Sequence, residues 1–194
     1  MKAVIVFHSV CGNDYLVAKA FYQALKARGV DTGLFRVFDA SWVEKPDLSV
    51  KAKQVVQAMR SLPEAEPQVL LDADLVIMGS PTYFGNVSAQ MKAFMDATGC
   101  FWVQGKLSGK KFAAFTSAGN AEGGGDLCLQ ALHTYGKYMG MLSVPLPVKT
   151  LPGENLPALG VIHYSNGKYG EELDGKTQRA VDVFGGSLVN GIKG

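Results

Sequence analysis

The sequence predicts an α/β chain in which a doubly wound, five-stranded parallel sheet is covered by helices on both faces. Three observations lead there. Short continuous runs of Val, Ile and Phe alternate with stretches of helical period. The apolar runs do not alternate with polar residues, so they read as strands buried on both faces. Several of them end in loops rich in Gly, Ser, Asn or Pro, and in such sheets ligands sit beyond the carboxyl ends of the strands.

Lys2 to His8 is the first such run. It stops at Ser9-Val10-Cys11-Gly12-Asn13-Asp14, a turn-forming segment, and from Tyr15 to Arg28 the apolar residues Leu16, Val17, Ala20, Phe21, Ala24 and Leu25 recur at helical spacing. Gly29 follows where a C-cap glycine belongs. Asp31 to Phe38 reads as the second strand. Between Ala40 and Ala73, Pro46, Pro63 and Pro67 chop the chain so that only Val50 to Leu62 looks helical. Asp74 to Gly79 is the third strand, Ser80 to Asn86 its loop, and Val87 to Thr98 the next helix. Lys111 to Thr116 is the fourth strand, and Ser117 to Gly125 a glycine-rich loop before a helix from Asp126 to Met139. Leu142 to Val148 is the fifth strand, Leu151 to Gly170 an irregular excursion, and Glu171 to Ile192 the last helix, with Ala180, Val183, Phe184, Leu188 and Val189 facing inward.

With 194 residues, 47% of them hydrophobic and no composition shift, the chain is expected to form one domain spanning 1–194. A net charge of +2 without a dense basic block excludes the footprint of a nucleic-acid or membrane-surface binder. No apolar run approaches the roughly 18 to 20 residues that cross a bilayer, and Met1 to Val10 is too short for a signal peptide, so the expected compartment is the cytoplasm. Cys11, Cys100 and Cys128 are odd in number and far apart, which argues for reduced thiols and against a disulfide framework or metal site.

Three loops leave the carboxyl ends of strands: Ser9 to Asp14, Ser80 to Asn86 and Ser117 to Gly125. The first suits an anion, because a helix amino terminus offers unpaired N–H groups and the positive end of its dipole, and Gly12 lets the backbone turn toward a ligand. The second joins a rigid Pro81 to two aromatics and a Gly-Asn pair, a combination suited to a flat ring. The third holds too many glycines for a core element, since each costs about 0.5 to 1 kcal/mol relative to alanine in regular structure.

The run Gly79-Ser80-Pro81-Thr82-Tyr83-Phe84-Gly85-Asn86, with Gln90-Met91-Lys92, Phe94-Met95-Asp96, Thr98-Gly99 and Trp102 after it, resembles WrbA-type flavoproteins of the flavodoxin-like superfamily. The similarity continues through Gly105-Lys106-Leu107, Gly109-Lys110, Ser117 to Gly125, Gly140-Met141 and Val144-Pro145, returns at Glu171-Glu172-Leu173 and the last helix, and is missing from Ala40 to Gln68. It implies a sheet of order 2-1-3-4-5, FMN as cofactor, NAD(P)H as co-substrate, a quinone or similar electron acceptor, and a homodimer or homotetramer. By the same resemblance Ser9, Cys11, Gly12, Asn13, Asp14 and Tyr15 would hold the FMN phosphate. Pro81, Thr82, Tyr83, Phe84, Gly85 and Asn86 would line the isoalloxazine, and Ser117, Ala118, Gly119, Asn120 and Gly124 would complete the ring and ribityl contacts. Trp102 resembles an aromatic that closes over the flavin, and the apolar segment Cys100-Phe101-Trp102-Val103 fits an interface between copies.

The sequence departs from that pattern at three places. Asp14 stands where flavodoxins have Thr and WrbA-type chains an apolar residue. A carboxylate about 4 Å from a phosphate costs on the order of 4 kcal/mol at an effective dielectric near 20, against about 0.3 to 2 kcal/mol returned by the helix dipole. FMN binding then requires Asp14 to turn outward and give only its amide. The alternative is that Asp14 caps its own helix and fills the anion site, leaving a flavin-free binding module. Tyr83 replaces an Arg common in the family, and Lys137-Tyr138-Met139-Gly140-Met141 lacks its His, leaving Tyr138 or His133 as substitutes. Beside the oxidoreductase reading stands a flavodoxin-type electron carrier with no small-molecule substrate, which the absence of a charged docking face disfavours.

Overall fold

A computed structural model describes residues 1–43, 45, 47–147 and 157–190. Pro46, Val148, the first six residues of the expected excursion and the end of the expected last helix lie outside them. In chain order the elements are β1 (Lys2–Phe7), α1 (Asn13–Lys26), β2 (Asp31–Arg36), α2 (Val50–Arg60), a 3-10 turn (Pro67–Leu70), β3 (Leu75–Pro81), α3 (Ala89–Ala97), α4 (Gly99–Val103), β4 (Lys111–Ala118), α5 (Gly125–Tyr138), β5 (Leu142–Ser143), β6 (Val161–Tyr164) and α6 (Gly175–Asn190). All strand pairs are parallel, in the order β2-β1-β3-β4-β5, with β6 also on β4.

Because successive side chains of a strand point to opposite faces, each central strand feeds two cores. Ala3, Ile5 and Phe7 of β1, Leu75 and Ile77 of β3 and Phe115 of β4 pack under α1, α2 and α6. Val4, Val6, Val76, Met78 and Phe112 pack under α3, α4 and α5. Local caps fix where the helices begin: Ser49 Oγ accepts from Ala52 N at 3.2 Å, Ser88 Oγ from Met91 N at 3.2 Å, and Asp174 Oδ1 from Thr177 N at 2.9 Å. The last of these starts α6 at Gly175, four residues after the point expected from sequence.

The fifth strand position departs from expectation. Instead of one strand from Leu142 to Val148, β5 covers only Lys111 and Phe112 of β4, and β6, drawn from the expected irregular excursion, covers Phe115 to Ala118. Pro145 and Pro147 have no N–H to give to a ladder, so the first segment leaves the sheet after Val144 N bonds Phe112 O at 2.9 Å. Gly160 lets the chain return close to β4: a Cβ there would lie 2.1 Å from the Ala114 carbonyl oxygen. Helix α4 is a second element absent from the sequence reading. Together the turns after β1, β3 and β4 line up along one edge of the sheet.

Candidate functional site

At that edge the three loops converge on a cleft of about 240 Å³ lined by residues of the first loop, Pro81, Thr82 and Tyr83 of the second, and Ser117, Ala118 and Gly119 of the third. A second depression of about 470 Å³ adjoins it, sharing Val10, Lys45 and Tyr83, and adds Asp39, Trp42, Phe84 and Gln90 to the walls. The first alone falls short of the roughly 300 to 1,000 Å³ of ligand pockets, and with its neighbour it falls inside that range.

The first loop is built tightly. Gly12 sits at φ 95°, and a Cβ there would lie 2.8 Å from Val55 Cγ1 and 3.3 Å from Gly170 Cα. Ser9 Oγ accepts from Gly12 N at 3.1 Å, so the hydroxyl proton stays available to a ligand. Trp42 Nε1 donates to Val10 O at 3.0 Å with the Arg60 guanidinium 4.1 Å from its ring centroid, and Asn13 Oδ1 accepts from Gly170 N at 2.8 Å. Tyr15 is not at the cleft with its side chain: the ring is buried against Phe7.

Asp14 takes neither of the two expected positions. It is the second residue of α1 rather than its cap, and its side chain turns inward, only 1% exposed. Ser117 Oγ donates to Asp14 Oδ2 at 2.7 Å, while Oδ1 is buried with no hydrogen-bond partner among the described residues. Burial pushes this carboxyl up to about 7, opposed by hydrogen bonds from the Ser117 side chain and from the backbone N–H groups of Ser117 and Asp14. Among the described residues that line the cleft, Asp14 is the only acidic one and Lys45 the only basic one. Cys11 is not activated by its place before a helix: burial raises its thiol, against the pull of Lys45.

The second loop is a hairpin tip. Tyr83 N donates to Asn86 O at 2.9 Å and Asn86 N to Tyr83 O at 3.0 Å, with Phe84 at φ 51° and Gly85 at φ 74° between them. Positive φ at both central residues is the type I′ pattern. A non-glycine residue there costs roughly 1–2 kcal/mol, yet Phe84 is held out fully exposed, at 106% of its reference area. Phe84 lines the second depression and Tyr83 both. Asn86 turns its Oδ1 back to Val87 N at 2.8 Å.

The third loop is fastened to the second. Thr82 N donates to Ser117 O at 2.9 Å, Thr82 Oγ1 to Gly124 O at 3.2 Å, and a Cβ on Gly124 would lie 3.0 Å from Gly85 Cα. Gly85 and Gly124 are therefore needed where two backbones touch, and neither lines the cleft. Asn120 is exposed beside the opening, its carbonyl accepting from Gly123 N at 3.2 Å.

Other candidates lie elsewhere. His133 is buried on α5, with Nδ1 3.0 Å from Ser143 Oγ and Nε2 on the Leu159 carbonyl, edge-on to Phe112. Tyr138 ends the same helix at the far edge of the sheet, and Trp102 stands exposed on α4; within this chain none of the three lines the cleft or the depression beside it. His163 pairs with Asp174 at 3.3 Å in a separate depression. His8 Nε2 lies 3.2 Å from Asp39 Oδ2 under the second depression. Burial lowers His8 against the pull of Asp39, whereas for Asp39 burial works upward and is outweighed by hydrogen bonds from Ser41, His8 and Gln90, which hold it low. Sequence reasoning missed Lys45, Ser165 and Tyr169, which line the cleft, and Trp42, which braces it. The available signal was an aromatic beside a cation in a proline-bounded stretch.

A parallel sheet of this order, with a cleft over the turns of β1, β3 and β4, defines a flavodoxin-like α/β protein. Two solved structures share the fold: a WrbA-like flavodoxin from Agrobacterium tumefaciens, with TM-score 0.65 at 23% identity, covering 97% of this chain and 95% of that one, and flavodoxin 1 from Bacillus cereus, with TM-score 0.66 at 18% identity over the whole of both. A family model described as NADPH-dependent FMN reductase matches residues 1–154, and the chain belongs to that family. Curated relatives named NAD(P)H dehydrogenase (quinone) include one from Deinococcus radiodurans, 36% identical over 145 residues (75% of this chain, 72% of the relative), and one from Archaeoglobus fulgidus, 34% identical over 146 residues (75% and 76%).

Proposed function

We propose that this chain is an FMN-dependent oxidoreductase passing electrons from NAD(P)H to a quinone. The observation that carries the reading is the convergence of three loops on one cleft, with the start of α1 at its floor and the Tyr83–Phe84 tip at its wall. The residues present fit FMN. The turn through Gly12 and the Ser9 hydroxyl supply a phosphate cradle with Lys45 as a cation, and the unpartnered Asp14 oxygen calls for a polar ligand group. Pro81, Thr82, Tyr83, Ser117, Ala118 and Gly119 would flank the ribityl chain and ring.

FMN bound there would supply the chemistry, taking a hydride from the nicotinamide and returning two electrons to the acceptor. The chain's own part is to bind, orient and shield. Thr82 ties the second and third loops so that their backbones present a fixed wall. Exposed Phe84 and Tyr83, beside Asp39, Gln90 and Trp42, offer a flat acceptor apolar faces with polar groups at the rim. We read residues 1–194 as one cytoplasmic domain, consistent with the absence, among the described residues, of a helix long and apolar enough to cross a membrane. We also read it as forming a homodimer or homotetramer through the exposed Trp102–Val103 patch, which a monomer in sedimentation at micromolar concentration would refute.

The test is direct: protein loaded with FMN should oxidise NADH or NADPH in a benzoquinone-dependent manner. Full FMN occupancy without turnover would remove the enzymatic claim.

A further inference from the structure

The first turn of α1 holds an unusual group for a phosphate cradle. Asp14 lines the cleft, is almost wholly buried, and has one carboxyl oxygen satisfied by Ser117 and the other unpartnered. A buried carboxyl oxygen left without a partner is costly unless a ligand meets it or a proton sits on it. The two conditions combine in one arrangement. With Oδ2 accepting from Ser117, a proton on Oδ1 would turn Asp14, a residue of the cleft lining, into a donor, the role a hydroxyl would fill at that place.

We infer that Asp14 holds the FMN phosphate as a neutral carboxylic acid, so that cofactor binding takes up a proton through the Asp14–Ser117 pair. This rests on the FMN reading above and adds to it. Burial already places the free carboxyl at about 7, and a phosphate beside it would raise it further, so above neutrality the proton must be drawn from solvent when FMN binds. Among the described residues the other ionisable groups around Asp14 are Cys11 and Lys45 from the loops, Tyr83 from the hairpin tip, Cys128 on α5, Tyr169 across the cleft, and His163 on β6, register partner of Ser117 and itself paired with Asp174. Cys11, Tyr83 and Cys128 are all raised by burial, and burial lowers His163 against Asp174, so near neutrality these four tend to their uncharged forms. The second ionisation of a phosphate monoester, near pH 6, falls below the window that matters.

The experiment is FMN affinity by quenching of flavin fluorescence, from pH 5.5 to 8.5, for the wild type, Asp14→Asn and Ser117→Ala, with circular dichroism verifying the fold of each. The wild type should weaken by up to tenfold per pH unit above about 7, the limit for uptake of one proton. Asp14→Asn, which keeps an acceptor for Ser117 and a permanent donor, should give a flat profile above pH 7 and bind at least tenfold more tightly than the wild type at pH 8.5. Ser117→Ala removes the side-chain donor that, with the backbone N–H groups of Ser117 and Asp14, favours the ionised form, and should move the onset of weakening to higher pH. A flat wild-type profile, or Asp14→Asn with the wild-type slope, overturns this inference and leaves the flavin reading standing. Binding by Asp14→Asn but not by the wild type even at pH 5.5 also overturns it, making Asp14 an excluder of the phosphate. No FMN binding by any of the proteins at any pH overturns both readings.

Discussion

The first and second loops at the carboxyl edge are neighbours built on opposite plans. Ser9 to Gly12 is held from three sides, by its own hydroxyl, by Trp42 and by Gly170 packed on Gly12. The Phe84 tip closes on itself through two backbone bonds and projects its ring into solvent. The contrast separates anchoring from display. A region that must hold charge in place is over-determined by its surroundings, so changes there register first as stability. A region that meets a transient partner carries local strain at little global cost, so changes there register first as function.

The two loops should differ most in their response to pH. A carboxyl whose folded-state value is raised from 3.8 to about 7 makes no difference below about pH 4, where folded and unfolded chains both hold the proton. From there to about pH 7 it lowers stability progressively, by about 4 kcal/mol in total. Urea denaturation of ligand-free Asp14→Asn should therefore match the wild type at pH 4 and exceed it by about that amount at pH 8. A difference that does not change with pH would mean the first loop carries no buried charge. Gly170→Ala, whose Cβ would lie 2.1 Å from the Cys11 carbonyl oxygen at φ 59°, should cost about 2–4 kcal/mol. Gly119→Ala in the same cleft, with nothing within 4 Å, should stay within about 0.5 kcal/mol. Trp42→Phe leaves the Val10 carbonyl without its donor and should cost about 1 kcal/mol. At the display end, Phe84→Ala should change stability by less than about 0.5 kcal/mol while raising KM for the quinone several-fold. A large drop in melting temperature with unchanged KM would reverse the roles assigned to the two loops.

Much of this was legible in the sequence. The four long strands and the helices after the first and third of them announce themselves through continuous Val-Ile-Phe runs and helical spacing, because burial on both faces leaves no room for polar residues. The three ligand-side loops could be found by their Gly, Ser and Pro content. What escaped depends on contacts between distant residues. Val161 to Tyr164 is too short a run to stand out between Gly160 and Gly167, and becomes a strand only because β4 offers an uncovered edge. The inward turn of Asp14 follows from Ser117, a residue 103 positions away, which no local pattern encodes. Lys45 and Tyr169 reach the cleft from stretches whose irregularity hides any period. The catalytic substitutes fared differently for a simple reason: a helix starting at the ligand edge carries its last residues away from it, so Tyr138 ends far from the cleft.

The divided fifth strand bears on what that side of the sheet can accept. An uncovered strand is a template for another chain, and a long one invites sheets to join edge to edge. Among the described residues that side of the sheet ends in pieces of two and four residues, offset along β4, which offer a neighbour no continuous ladder. Strand addition is thereby disfavoured on this side of the sheet, in contrast to the opposite side, which ends in the six-residue β2.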